Sequence, residues 1–221
     1  LNLLIEGGAG IMEYAYHYGD PGRLYLNVTN RCSNRCSFCV RGEADGLGGA
    51  LLRGGDEPDF ARLREAVLRH GEPGRFREIV WCGYGEPTCR LDLIGEAAAW
   101  LRSGGAKIRL NTNGHACLIH GRDVMAELGA AVDRVSVSLN APDRERYRQL
   151  CLPDLEQLGG PGGPPVTAEA VWDSVLDFIA RAPAHFEEVQ ATVVGRVLVP
   201  GEIDACRTLA LALGAHRFRV R

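Results

Sequence analysis

The chain has 221 residues, 46% of them apolar and 24% charged. That balance supports one globular domain with a sizeable core and excludes disorder as the main state. The net charge of −3 gives no electrostatic footprint for nucleic acid, and no run of about 20 apolar residues offers a membrane span.

Residues 1–11 (LNLLIEGGAGI) are apolar but lack the basic start and cleavage site of a secretory leader. They read as an extension, foreign or disordered, ahead of a core domain over 12–221 that starts at Met12. Residues 13–18 and 23–28 flank Gly19-Asp20-Pro21-Gly22, which predicts a hairpin with Glu13, His17 and Tyr18 on its surface. Alternation then predicts strands over 24–29, 77–82, 106–112, 134–139, 188–194 and 216–221. Apolar spacing predicts helices over 59–70, 91–102, 120–130, 143–150, 167–181 and 202–213, with Asp59 and Thr167 placed to cap. Strand and helix in alternation mean a parallel sheet with right-handed crossovers. Six such units form either an open barrel or a doubly wound sheet, and the pattern leaves both open.

Eight cysteines lie at 32, 36, 39, 82, 89, 117, 151 and 206. With no secretory signal, the expected compartment is the reducing cytoplasm, where close cysteines are metal ligands or catalytic groups rather than disulfides. Cys32, Cys36 and Cys39 fall within eight residues, directly after the first strand. Thiolates suit iron–sulfur clusters and zinc alike. A structural zinc site pairs C-x2-C with a second pair and a fourth ligand, and no second pair exists here. Three cysteines on a four-iron cluster leave one iron open to a small molecule. The remaining cysteines lack tight spacing and read as buried small hydrophobes, Cys206 most clearly; Cys82 and Cys117 fall nearest the strand ends.

The C-x3-C-x2-C run with Phe38 before its last cysteine resembles the signature of the radical S-adenosylmethionine (SAM) enzymes. Further segments agree in order. Gly83-Tyr84-Gly85-Glu86-Pro87 after the second strand is similar to the family's Gly-Gly-Glu segment, with Tyr84 between the two glycines. Thr112 and Asn113 follow the third strand, and Ser138 and Asn140 end the fourth. Within the superfamily, YLNVTNRC (25–32), CGYGEPT (82–88), RLNTNG (109–114), IHGRD (119–123) and SVSLNAP (136–142) look most like the small radical SAM proteins linked to or fused with TatD-type metallohydrolases.

The resemblance implies an α/β fold, a partial (β/α)6 TIM-like barrel preceded by the short hairpin. It implies a [4Fe-4S] cluster on Cys32, Cys36 and Cys39. It also implies SAM contacts from Phe38, Gly83, Tyr84, Gly85, Glu86, Pro87, Thr112, Asn113, Ser138 and Asn140. The implied activity is reductive cleavage of SAM to a 5′-deoxyadenosyl radical that takes hydrogen from a substrate. Expected partners are an electron donor of the flavodoxin or ferredoxin type and a TatD-type metallohydrolase. A zinc or electron-transfer module, or an adaptor of the hydrolase, is the alternative. Candidate substrates are a glycyl radical protein, a peptide or a nucleotide-like molecule.

Glycines at 83 and 85 would let backbone approach the ligand closely. His120 is a candidate substrate contact, though a histidine there can equally hold its loop. Arg219 and Arg221 alternate on the last strand and share a face; if that face is inward, they imply an anionic ligand or a carboxylate partner. Residues 41–58, with Gly46, Gly48 and Gly49, form a long loop expected to be a lid or a linker. Residues 151–166, with LGGPGGPP, are a second loop. An eight-stranded barrel needs two more strands, so a gap is expected between the first and sixth strands, which favours a macromolecular substrate or a complex.

Overall fold

The computed structural model describes residues 12–161, 163 and 165–221; the extension expected over 1–11 lies outside them. In chain order the strands are β1 (Ala15–Tyr16), β2 (Arg23–Leu26), β3 (Gly46–Leu47), β4 (Ala50–Leu51), β5 (Glu78–Trp81), β6 (Lys107–Thr112), β7 (Arg134–Ser138), β8 (Glu188–Val193) and β9 (Arg217–Val220). The helices are α1 (Phe60–Leu68), α2 (Leu91–Arg102), α3 (Ala116–His120), α4 (Met125–Ala131), α5 (Arg144–Cys151), α6 (Ala168–Arg181) and α7 (Pro200–Ala212). No helix among the described residues is long and apolar enough to cross a membrane.

One sheet runs β1-β2-β5-β6-β7-β8-β9. β1 pairs antiparallel with β2 as the expected hairpin, and the other neighbours are parallel. This is the partial barrel, with β1 covering the outer edge of β2. β9 is the opposite edge, and among the described residues it pairs only with β8.

Period-two alternation decides what each face carries. Leu24, Leu26, Ile79, Trp81, Ile108, Leu110, Val135, Val137, Val189, Ala191 and Val193 bury into one core with the helices. The other face carries Arg23, Glu78, Arg109, Asn111, Arg134, Ser136, Gln190, Thr192, Arg217 and Arg219 in adjacent register. Glu78 is its hub: its carboxylate lies 2.9 Å from Arg23, 3.3 Å from Arg109 and 3.7 Å from Arg134. The barrel interior is therefore polar and cationic.

Local chemistry sets the helix ends. Asp59, Asp143 and Thr167 accept from backbone N–H groups at the starts of α1, α5 and α6, satisfying donors that a helix start leaves orphaned. The helix expected over 120–130 is two pieces. Gly121 takes a left-handed φ of 62° and ends α3, and α4 restarts at Met125. Gly95 lies mid-α2 with nothing within 4 Å of where its Cβ would stand. Gly95→Ala is expected to raise stability by about 0.5–1 kcal/mol, read as a higher urea midpoint.

The 41–58 segment is neither bare lid nor loose linker. β3 and β4 form a small ribbon, and Leu52 is fully buried. Tyr84 Oη donates to Ala44 O at 2.8 Å and lies 3.0 Å from Gly46 O. The ribbon is thus tied to the turn after β5.

Candidate active site

The cysteine loop leaves β2 at Leu26 and runs to the short 3-10 turn Val40–Gly42. It has almost no regular structure, so its backbone groups need partners elsewhere. Arg35 N donates to Cys151 O at 3.1 Å and Ser37 N to Leu150 O at 2.9 Å, both at the end of α5. Asp154 N donates to Ser33 O at 2.9 Å.

Side chains complete this brace. Ser33 Oγ lies 3.0 Å from His115 Nδ1, and Tyr147 Oη lies 2.9 Å from His115 Nε2. Asn34 Nδ2 donates to Tyr147 Oη at 3.1 Å, and Asn113 Nδ2 donates to Ser33 Oγ at 2.9 Å. All five residues are buried. Burial lowers the His115 pKa from 6.5 to about 3. The folded ring stays neutral where the unfolded ring takes a proton, so the unfolded state binds more protons below about pH 6.5. The His115 contribution is full above that pH. It is expected to fall on acidification by up to about 1.4 kcal/mol per pH unit. Urea midpoints between about pH 7 and about pH 5 check this, and His115→Gln should flatten the slope.

All eight cysteines are free thiols. Cys32, Cys36 and Cys39 are half-buried and line one cavity of about 300 Å³. Burial, and then the Glu86 charge, push the Cys32 thiol up to about 12. Cys36 is held below its usual value by a hydrogen bond from Cys151, with the Arg41 guanidinium adding to it. Arg41 Nε also donates to Cys39 Sγ at 3.3 Å. Among the described residues no three His, Cys, Asp or Glu gather closely enough for a single metal ion. A polynuclear cluster asks for a different spacing, one thiolate per iron. The donor set fits such a cluster with a small molecule beside it. Two buried amide oxygens on the cavity wall, Asn34 Oδ1 and Asn111 Oδ1, also have no hydrogen-bond partner among the described residues.

Glu86 closes the opposite wall. Its Oε1 accepts from Thr88 N at 3.2 Å, Thr88 Oγ1 at 2.8 Å and Thr112 Oγ1 at 2.8 Å. Asn113 N donates to Oε2 at 2.7 Å. Burial raises its pKa and these four bonds oppose the rise. Phe38, Gly83, Tyr84, Gly85, Thr112, Asn113, Ser138 and Asn140 share the cavity wall. Asn140 holds a left-handed φ of 58°, which asparagine tolerates better than most residues.

Three residues expected at the site line other places. Pro87 starts the 3-10 turn Pro87–Arg90 behind the wall. His120 Nε2 lies 2.7 Å from Thr88 O and so holds its loop. Arg219 is exposed on β9 beside Thr192; it is Arg221 that lines the cavity, with a nitrogen 3.0 Å from Ser136 Oγ. Gly83 and Gly85 line the cavity and also serve the packing behind it. A Cβ on Gly83 would stand 2.1 Å from Asn27 Oδ1 and 2.7 Å from Asn27 Cα. One on Gly85 would stand 2.4 Å from Arg31 O and 2.5 Å from Thr29 O. Both glycines let the turn after β5 press against the chain leaving β2. Of the other cysteines, Cys82 lines the cavity, Cys117 does not, and Cys206 is buried in α7. Sequence reasoning passed over Arg41 and Asn34; their signal was position, beside and within the thiol run.

A thiol loop, a cavity beside it and strand-end polar groups on one rim of a parallel barrel define a cofactor-binding α/β enzyme class. The chain belongs to the radical SAM superfamily, whose signature matches residues 26–212; that family uses a [4Fe-4S] cluster and SAM. It is 32% identical over 134 residues to GTP 3′,8-cyclase of Staphylococcus carnosus (strain TM300), covering 60% of this chain and 38% of the relative. It is 36% identical over 162 residues to that of Mycobacterium marinum (strain ATCC BAA-535 / M), covering 68% and 42%. The chain thus spans less than half the length of these curated relatives. In fold it is similar to Streptococcus suis SuiB bound to the precursor peptide SuiA. There the TM-score is 0.63 at 16% identity, over 90% of this chain and 39% of that one. SuiB bound to S-adenosylmethionine gives a TM-score of 0.55 at 15% identity, over 89% and 37%.

Proposed function

We propose that the chain is a radical SAM enzyme in which Cys32, Cys36 and Cys39 each hold one iron of a [4Fe-4S] cluster and SAM occupies the adjoining cavity. One observation carries this reading: three free thiols of one loop line the same cavity as Gly85, Glu86, Ser138 and Asn140. When bound, the cluster and SAM supply a radical able to take a hydrogen atom from an unactivated carbon. The chain's own residues bind and orient. Glu86 takes the SAM ammonium, and a cation there would offset the burial that raises its pKa. Thr112 and Asn113 fix that carboxylate. Ser138 and Asn140 offer a hydroxyl and an amide to the ribose and carboxylate. Phe38 covers the thiol side and excludes water.

An external one-electron donor of the flavodoxin or ferredoxin type completes the system. The segments 25–32, 82–88, 109–114, 119–123 and 136–142 support membership in the TatD-linked group, with a TatD-type metallohydrolase as partner. Among substrates, the relatives at 32% and 36% identity favour a nucleotide-like molecule over a peptide or a glycyl radical protein.

Anaerobic reconstitution followed by reductant and SAM tests the reading. Iron with acid-labile sulfide, and 5′-deoxyadenosine formed, is the expected result. Zinc without sulfide and no nucleoside would overturn it in favour of a non-catalytic module.

A further inference from the structure

We infer that the barrel interior beneath the cysteine loop is a binding site for a small anionic substrate carrying phosphate or carboxylate groups, held by Arg109, Arg219 and Arg221. This rests on the radical SAM reading, because it assigns the substrate of the same cavity.

The register puts these cations on the sheet face that bounds the cavity, and of the three it is Arg221 that lines the cavity itself. Arg219 stands beside Thr192, and Thr192 beside Ser138. Arg221 lies two residues further along the chain from Arg219, hence on the same side of the strand direction. Its side chain lines the cavity and meets one neutral partner, Ser136 Oγ at 3.0 Å. The residue is exposed at the end of the strand, and its guanidinium, part-covered where it meets Ser136, is repelled by both Arg109 and Arg219. Arg109 has one carboxylate near it, Glu78 at 3.3 Å, and that carboxylate already faces Arg23 and Arg134. The Arg109 Nε is buried without a hydrogen-bond partner among the described residues. Across this face, six arginines stand against Glu78 and Glu188, and Glu188 lies 3.6 Å from Arg217.

Gathered guanidinium groups repel unless an anion sits among them. Their planar forks match phosphate and carboxylate oxygens two at a time. The site lies below the Glu86 and Asn113 wall. An anion here would reach the cavity floor, while SAM stands above it beside the thiols.

Calorimetric titration of the cluster-loaded protein with pyrophosphate and with citrate, at ionic strength fixed with chloride, tests the inference. Saturable binding of either is expected, and the tighter of the two identifies phosphate or carboxylate as the class. Arg221→Gln should weaken binding about tenfold or more. Arg219→Gln, at an exposed position that does not threaten folding, should weaken it in the same direction. Pyrophosphate and citrate indistinguishable from chloride would overturn the proposal, and so would unchanged affinity in both variants. Saturating SAM should leave the anion affinity undiminished. If SAM displaces the anion, the arginines serve the SAM carboxylate and the proposal falls. If SAM fails to bind at all, the radical SAM reading falls instead while the anion result stands.

Discussion

Cys36→Ala is expected to abolish iron loading while leaving the fold intact. The loop that carries the three thiols is held by its backbone and by Ser33, Asn34 and Asn113, and none of these contacts uses the Cys36 side chain. The half-buried thiol makes no packing contribution that alanine would forfeit at more than about 1 kcal/mol. The cluster, by contrast, loses one of three protein ligands. Iron and acid-labile sulfide per chain should fall to background, with circular dichroism unchanged. The double variant Cys36→Ala, Cys151→Ala closes the route by which the neighbouring Cys151 thiol could stand in. Cys117→Ala, away from the cavity, should load in full. Full iron in the Cys36 variant would end the assignment of these ligands.

Glu78→Gln is expected to lower stability by about 3 kcal/mol. The substitution keeps volume and removes one charge. Arg109 and Arg134 then lose their shared carboxylate, Arg23 keeps only Asp20 at 3.7 Å, and the Arg109 side chain is only 14% exposed. Removing one member of a buried ionic group costs more than the group contributes when whole, because the remaining charges stay desolvated. The low end of that range applies because Arg23 and Arg134 keep about a third of their side chains in water. Urea unfolding at neutral pH reads the loss. Added salt should recover part of it by screening the uncompensated cations. A loss under about 1 kcal/mol would mean that water reaches these arginines freely.

The strands were legible because alternation writes itself into sequence: RVSVSL and EVQATVV could bury only one face. The thiol run was legible because three cysteines at that spacing have few other uses. The division of α3 from α4 was not. It depends on Gly121 adopting a left-handed φ, which is set by the close approach of the 159–160 backbone. The work of Gly83 and Gly85 was hidden for the same reason, since their neighbours Asn27, Thr29 and Arg31 belong to the chain leaving β2, more than 50 residues earlier. His115 and Tyr147 carry the brace under the thiol loop, yet they lie 32 residues apart and nothing in either segment points to the other. Only the fold brings them together. Glu78 looks like one charge at a strand start until the register sets it among three arginines.

The brace also fixes an order of events. The thiol loop is made before its hydrogen-bond partners, which lie far behind it; Ser37 Oγ, for instance, donates to Leu150 O, 113 residues further along the chain. A ribosome-bound nascent chain ending before α5 has the three cysteines and lacks the scaffold that presents them. Presentation of the three thiols therefore waits until α5 has been made and has docked. Contacts this distant in sequence are slow to form, so exposed thiols face oxidation during the interval. An anaerobic or reducing environment matters first as a condition of assembly, before any turnover begins.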